Sequence, residues 1–325
     1  RQDAFANAVI EIKTELAPLV LLDELMKIEA ELGRDRSKKA KANGPRTIDL
    51  DLLWMDGETH GGKKLRLPVL AAPVGAMKMH YGDKYDDAAY NDLLVSACRD
   101  AGILACTGDG MDAAVMEGAL RAIHHADGCG VPTVKPWDKD TIFAKLTQVR
   151  KADPVAVAMD IDAAGLPFLK NHMPPAGSKT VEELREIIEY AQKPFILKGI
   201  MTPAGARKAL EAGAAGIVVS NHGGRVLDQC PATAEVLPAI AEAVAGRMKI
   251  FVDGGIRTGL DVFKALALGA DGVLIGRPFV TMVYGGGAEG VRVYADKLQS
   301  ELQDAMQMCG VHSLKEITRD QILRP

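Results

Sequence analysis

The sequence predicts an α/β protein built as a (β/α)8 TIM barrel, preceded by a short α+β segment. Three observations predict it. From Leu65 onward, eight short apolar runs alternate with stretches of helical periodicity. The chain has 325 residues, which accommodates a barrel of about 250 and leaves about 75 over. Glycine is frequent, at 33 residues, while aromatics make up only 5%. That composition suits tight turns and backbone-lined sites better than a β-sandwich core. A doubly wound sheet more often has roughly five or six strands, so eight runs favour closure into a barrel.

Taken in order, residues 17–33 read as one amphipathic helix, with Leu21, Leu22, Leu25, Ile28 and Leu32 at helical spacing. A basic stretch follows, with Arg34, Arg36, Lys38, Lys39, Lys41 and Arg46 relieved only by Asp35. Gly44-Pro45-Arg46 signals a turn, and Ile48-Asp49-Leu50-Asp51-Leu52 alternates as a strand does. The polar, glycine-rich stretch 57–64 marks a boundary, giving a segment 1–57 and a barrel 58–325. Strands are expected to start near Leu67, Ile103, Val131, Val155, Pro194, Gly216, Lys249 and Asp271. Helices fit residues 181–191, 205–212, 233–245 and 260–268 between them. The barrel should run to near Cys309, with a short helical tail over 313–323.

Charge and cysteine content narrow the function. Thirty-nine basic against 43 acidic side chains leave a net charge of −4, which argues against a dedicated nucleic-acid binder. No run of about 18 apolar residues is present to span a membrane, and no signal peptide is visible. Five cysteines are scattered without a C-x-x-C pair, so neither a disulfide framework nor a structural zinc site is expected. A reducing, cytoplasmic location follows as the expectation.

Chemistry in such barrels gathers where strands end and loops begin. Several ends here are polar or glycine-rich: Thr107-Gly108-Asp109, Lys135, Asp160 with Asp162, Lys198, Asn221-His222-Gly223-Gly224-Arg225, Asp253-Gly254-Gly255 and Gly276-Arg277. One ionic residue at a strand end is readily structural, but seven converging sets point to a ligand. The last two ends sit after strands seven and eight, where barrels commonly bind phosphate through glycine N–H groups and a helix N-terminus. Arg257 and Arg277 would add bidentate charged contacts there.

The blocks Ser220-Asn221-His222-Gly223-Gly224-Arg225-Val226-Leu227-Asp228, Asp253-Gly254-Gly255-Ile256-Arg257-Thr258-Gly259 and Ile275-Gly276-Arg277-Pro278 closely resemble the FMN-dependent α-hydroxy-acid oxidase and dehydrogenase family. Leu197-Lys198-Gly199-Ile200 and Ala72-Pro73-Val74-Gly75-Ala76 fit it too. The resemblance covers about residues 64–325. It implies FMN as cofactor and oxidation of a small 2-hydroxy acid to a 2-oxo acid. His222 would take the substrate proton, work that suits an imidazole. Asp162 would steady the protonated His222, Arg225 would bind the substrate carboxylate with its planar fork, and Lys198 would stabilise the reduced flavin. Pro73, Val74, Gly75, Thr107, Thr133, Asp160, Ser220, Asp253, Gly254, Gly255, Arg257, Gly276 and Arg277 would contact the cofactor. Family members often form tetramers, so the resemblance also implies a homo-oligomer. Departures are present: Lys135 stands near the family's strand-three tyrosine, as a substrate-binding candidate. Gly165-Leu166-Pro167-Phe168 stands where a second substrate arginine is usual.

The first segment resembles a different family. Gly44-Pro45-Arg46-Thr47-Ile48-Asp49-Leu50-Asp51-Leu52-Leu53 is similar to the signature of hydroxymethyl-dihydropterin pyrophosphokinase, a ferredoxin-like fold of the folate pathway. Asp49 and Asp51, two apart on a strand, face one side and would hold Mg²⁺ with ATP phosphates if the segment is active. No metal is expected in the barrel. Two other readings stand beside the oxidoreductase: pyrophosphoryl transfer by the first segment, and a flavin-holding barrel without catalysis.

Overall fold

A computed structural model describes residues 24, 27, 28, 31, 59–60, 63–166, 169 and 177–323. The chain divides into two compact units, Arg1–Met55 and Asp56–Pro325. In the first, Glu24, Lys27, Ile28 and Glu31 are helical, within the expected 17–33 helix. The expected strand over 48–52, the basic stretch and the Mg²⁺ candidates Asp49 and Asp51 lie outside the described residues.

The second unit opens with a two-stranded antiparallel hairpin, Thr59–His60 against Lys63–Lys64. Eight parallel strands then close into a barrel: β1 (Val69–Ala71), β2 (Leu104–Thr107), β3 (Val131–Val134), β4 (Val157–Asp160), β5 (Phe195–Ile200), β6 (Gly216–Val219), β7 (Lys249–Val252) and β8 (Gly272–Ile275). Each strand pairs with its sequence neighbour, and β8 pairs with β1 to close the ring. The strands fall in the eight apolar runs named above.

The helices that return the chain are α1 (Asp87–Asp100), α2 (Ala113–His125), α3 (Lys139–Ala152), α4 (Val181–Ala191), α5 (Pro203–Glu211), α6 (Thr233–Val244), α7 (Gly259–Ala267) and α8 (Arg277–Met308). Six of the eight start at a side chain that accepts from a first-turn amide: Asp86, Asp112, Asp138, Thr180, Thr202 and Thr258. Thr180 with Glu183, and Thr258 with Asp261, complete capping boxes. At the other ends of these helices the chain leaves the helix and enters the next strand. The local sequence thus fixes where each βα loop stops, which is what aims the loop residues at one face.

Two apolar layers hold the barrel. Inside the ring lie Leu70, Leu104, Val131, Ala158, Ile196, Val218, Phe251 and Leu274. Val69, Ala71, Val157, Leu197, Ile217 and Val273 pack outward against the helices. This is the period-two alternation of strands in a closed barrel. The Phe251 ring fills the interior because its neighbours are small. A Cβ on Gly272 would lie 3.2 Å from Phe251 Cδ1, and one on Gly216 would lie 3.6 Å from its Cε2.

The expected helical tail is reduced to two single turns of tight helix, Leu314–Glu316 and Arg319–Gln321. They are held by local contacts such as Ser313 Oγ to Glu316 and Thr318 Oγ1 to Gln321. Gly310, with φ 69°, has already ended the preceding helix. Among the described residues, no helix is long and apolar enough to cross a membrane.

Candidate active site

Nine polar or charged residues are buried among the described residues, and seven of them sit at or just past the C-terminal ends of barrel strands: Thr107, Asp109, Thr133, Lys135, Asp160, Lys198 and Ser220. Burying so many polar groups at one end of a barrel is costly unless they are partnered. Their partners, and the atoms left without one, define the site.

Lys198 lies near the end of β5, with its side chain 6% exposed. Its Nζ donates to Ser220 Oγ at 3.0 Å and stands 3.5 Å from Asp253 Oδ2. Burial alone would lower its pKa, but Asp253, Asp162 and Asp160 together outweigh that and hold it above the usual lysine value. Lys198 is therefore an ammonium throughout the neutral range. The stability that this charge contributes is present below the unfolded-state pKa and is lost only as pH rises through the raised folded value.

His222 follows β6 in a single turn of tight helix, with φ 56°. Its Nδ1 lies 3.1 Å from Asp162 Oδ1, and its backbone N–H donates to Ser220 Oγ at 3.1 Å. Asn221 shapes the turn, since its Oδ1 accepts from the amides of Gly223 and Gly224. Ser220 thus ties Lys198 and His222 together through one oxygen. Lys135 Nζ reaches Asp160 Oδ2 at 3.1 Å in a second buried ion pair. Counting this cluster, two ammonium groups face three carboxylates, so one negative charge is left over. A protonated His222 would cancel it.

Asp109, named in the sequence only as part of a polar strand end, organises this side of the mouth. Its side chain is wholly buried. Oδ1 accepts from the Gly110 amide and Lys145 Nζ, both at 2.8 Å. Oδ2 accepts from the Lys135 amide at 3.0 Å and from Trp137 Nε1 at 2.7 Å. The carboxylate therefore pins the loop after β3 and fixes where Lys135 starts. A polar residue two positions past a strand end was the available signal; its partners, 26 to 36 residues away, were not.

Pro73, Val74 and Gly75 follow β1 and lie against the end of β2. A Cβ on Gly108 would fall 2.7 Å from Val74 C and O, so only glycine permits this approach. Thr107 and Thr133 end β2 and lie within β3, and their hydroxyls have no hydrogen-bond partner among the described residues. The same holds for Asp160 Oδ1, Asp162 Oδ2 and Asp253 Oδ1. Gly254 (φ 94°) and Gly255 (φ 82°) turn the chain after β7, and nothing lies within 4 Å of where a Gly255 Cβ would stand. Gly276 precedes α8, whose N-terminus has no side-chain cap. Arg257 is exposed and donates to Gly255 O at 3.0 Å; Arg277, at the first position of α8, and Arg225, after the His222 turn, are exposed as well. The structure brings Lys198, Ser220, His222, Asp162, Asp160, Asp253 and Lys135 into one connected cluster. The three arginines are outside that cluster of contacts.

Unpartnered buried acceptors and hydroxyls, beside an enclosed ammonium and glycine turns after strands seven and eight, form the mouth of a cofactor-binding barrel. The orphaned atoms of Thr107, Thr133, Asp160 and Asp253 fit a flat, polar-edged ring, and the open turns fit a phosphate, so the residues present fit FMN.

Comparison with known proteins agrees. Residues 168–324 match the family model for FMN-dependent dehydrogenase. The peroxisomal (S)-2-hydroxy-acid oxidase GLO4 of Oryza sativa subsp. japonica is 47% identical over 150 residues, 46% of this chain and 40% of that protein. The L-lactate dehydrogenase of Xanthomonas campestris pv. campestris is 49% identical over 143 residues, 44% of this chain and 37% of that protein. The matched stretch thus spans about two fifths of the length of these curated relatives. Among solved structures, a mandelate oxidase variant with a monooxide FMN adduct superposes with TM-score 0.68 at 31% identity, covering 81% of each chain. A Pediococcus acidilactici protein described as a lactate oxidase superposes with TM-score 0.69 at 30% identity, covering 81% of this chain and 77% of that one. The chain belongs to the FMN-dependent dehydrogenase family. Residues 1–78 match the family model for 7,8-dihydro-6-hydroxymethylpterin-pyrophosphokinase. That match runs past the expected boundary at 57 and over β1, which pairs within the barrel.

A buried hydroxyl without a partner costs stability that a bound ligand recovers. Thr133→Val should therefore leave the thermal midpoint of the FMN-free protein unchanged or raised, and weaken FMN binding by about threefold to tenfold. Titration of FMN fluorescence, with a melting curve of the FMN-free protein, checks both halves. Unchanged affinity would remove Thr133 from the cofactor contacts.

Proposed function

We propose that this protein oxidises a small 2-hydroxy acid to the 2-oxo acid. The observation that carries the reading is His222 Nδ1 at 3.1 Å from Asp162 Oδ1, in a buried cluster one positive charge short of neutral. Asp162 fixes the ring through Nδ1 and leaves Nε2 to take the proton of the substrate hydroxyl. The Asp162 carboxylate at Nδ1 holds the ring in place as Nε2 takes that proton.

FMN, when bound, accepts the two electrons that leave the substrate carbon. Thr107, Thr133, Asp160, Ser220, Asp253 and the segment Pro73-Val74-Gly75 would hold its ring. Gly254, Gly255, Gly276, Arg257 and Arg277 would hold its phosphate. Lys198 supplies a fixed positive charge that needs no reorganisation during the reaction. Arg225, exposed and outside the buried contacts, anchors the substrate carboxylate with its planar fork. Lys135 adjoins the site with its charge already balanced by Asp160, so its part in substrate binding is the lesser one. His222→Ala should retain FMN and slow reduction of the flavin by substrate by on the order of 10²–10⁴. Stopped-flow absorbance reads the rate, and undiminished reduction in this variant rejects His222 as the base.

We also propose that residues 1–57 are a pyrophosphokinase-like partial segment joined to an FMN-binding barrel at 58–325. The family match over 1–78 favours a second reading for that segment, pyrophosphoryl transfer from ATP with Asp49 and Asp51 on Mg²⁺. Release of AMP from ATP in the presence of hydroxymethyl-dihydropterin and Mg²⁺ would support it, and its absence would reject it.

A further inference from the structure

Asp162 has one hydrogen-bonding partner among the described residues. Its Oδ1 meets His222 Nδ1, while its buried Oδ2 meets nothing. Its position must then be set by packing, and the packing surface is the backbone of β5. A Cβ on Gly199 would fall 2.5 Å from Asp162 Cγ, 2.6 Å from its Cβ and 2.7 Å from its Oδ1. Real side chains do not approach so closely, so the carboxylate occupies the volume that any other residue at 199 would fill.

The strand is built to make this contact. Its pairing with β6 shifts register between Lys198 and Ile200. Ile196 lies inside the barrel and Leu197 packs outside it, as alternation requires. Strict alternation would then put Ile200 inside, yet it packs outside with Leu197. Gly199 is the extra residue, with φ 102°. It is a bulge of the kind that re-aims side chains beside functional sites. Here it presents bare backbone to Asp162. Glycine in a strand interior otherwise weakens the strand, so its presence has to be explained by what approaches it.

We propose that Gly199 is a positioning residue for the His222–Asp162 pair. By carrying no side chain, it seats the Asp162 carboxylate where Oδ1 meets Nδ1, and so sets the orientation of the imidazole. The proposal rests on the reading of His222 as the base.

The test uses the full chain loaded with FMN. In Gly199→Ala, flavin reduction by a 2-hydroxy acid should slow on the order of tenfold to a hundredfold, the loss expected when a reacting group is displaced by about 1 Å. FMN affinity should stay within about twofold, and the ¹⁵N signals of the His222 ring should move, because the Nδ1 hydrogen bond is disturbed. Added to Asp162→Ala, the same substitution should change the rate by less than about twofold, since the carboxylate it displaces is gone. A wild-type reduction rate with unmoved His222 signals in Gly199→Ala overturns the proposal. So does a double variant slowed, relative to Asp162→Ala, by the same factor as the single glycine change. If Gly199→Ala does not fold but the double variant does, contact with Asp162 is the reason for glycine and the proposal stands. If neither folds, the backbone conformation alone demands glycine and the proposal falls. Wild-type rates in Asp162→Ala and His222→Ala would instead reject those two residues as the base and its support. The His222 signals in Gly199→Ala would still report whether Gly199 seats the pair.

Discussion

Lys198 carries a positive charge in a place almost closed to water, and the rest of the mouth is arranged around that fact. An isolated ammonium there would give up its proton. Asp253 at 3.5 Å and the nearby Asp160 and Asp162 prevent this, and Ser220 accepts one of its hydrogen bonds. These partners come from the ends of three other strands, β4, β6 and β7, so the charge is kept only if β4, β5, β6 and β7 stand in register. Adjacent strands give it that register: Asp160 on β4 is paired directly with Lys198 on β5. The Lys198 site is thus as much a consequence of barrel closure as of the residues that compose it.

The same logic runs outward from the centre. Ser220 accepts from both Lys198 and the His222 backbone, so the charge that stabilises the mouth also locates the imidazole. Asp109 uses both oxygens, each accepting two hydrogen bonds, to hold the next loop, which delivers Lys135 to Asp160. Around this mouth, atoms of Thr107, Thr133, Asp160, Asp162 and Asp253 remain unpartnered. Five residues at one barrel mouth with orphaned polar atoms, beside a network that partners Lys198, Ser220 and Asp109, form a surface that a polar ligand can finish.

Much of this was legible in the sequence because the signals are local. Apolar runs of four or so residues between capped helices give the strands, and Thr180 with Glu183 or Thr258 with Asp261 mark helix starts within a single turn. The polar strand ends were legible as a set, and the barrel brings Thr107, Lys135, Asp160, Lys198 and Asp253 to one face. What escaped was long-range. Nothing near Gly199 in the chain announces that Asp162, 37 residues earlier, will lie against its backbone, and Asp109 is an ordinary loop aspartate until Trp137 and Lys145 fold onto it. Lys135 read as a substrate-binding candidate, and its ion pair with Asp160 is visible only across two adjacent strands. The tail at 313–323 had helical composition, but its two turns each close within a few residues.

The account stands on one claim: this mouth, loaded with FMN, takes electrons from a 2-hydroxy acid. Anaerobic addition of glycolate, lactate, mandelate and longer 2-hydroxy acids to the FMN-loaded protein tests it directly. Bleaching of the visible flavin band by at least one of them, with the matching 2-oxo acid formed in equal amount, is the predicted result. A flavin band that dithionite bleaches but that none of these acids changes would contradict it.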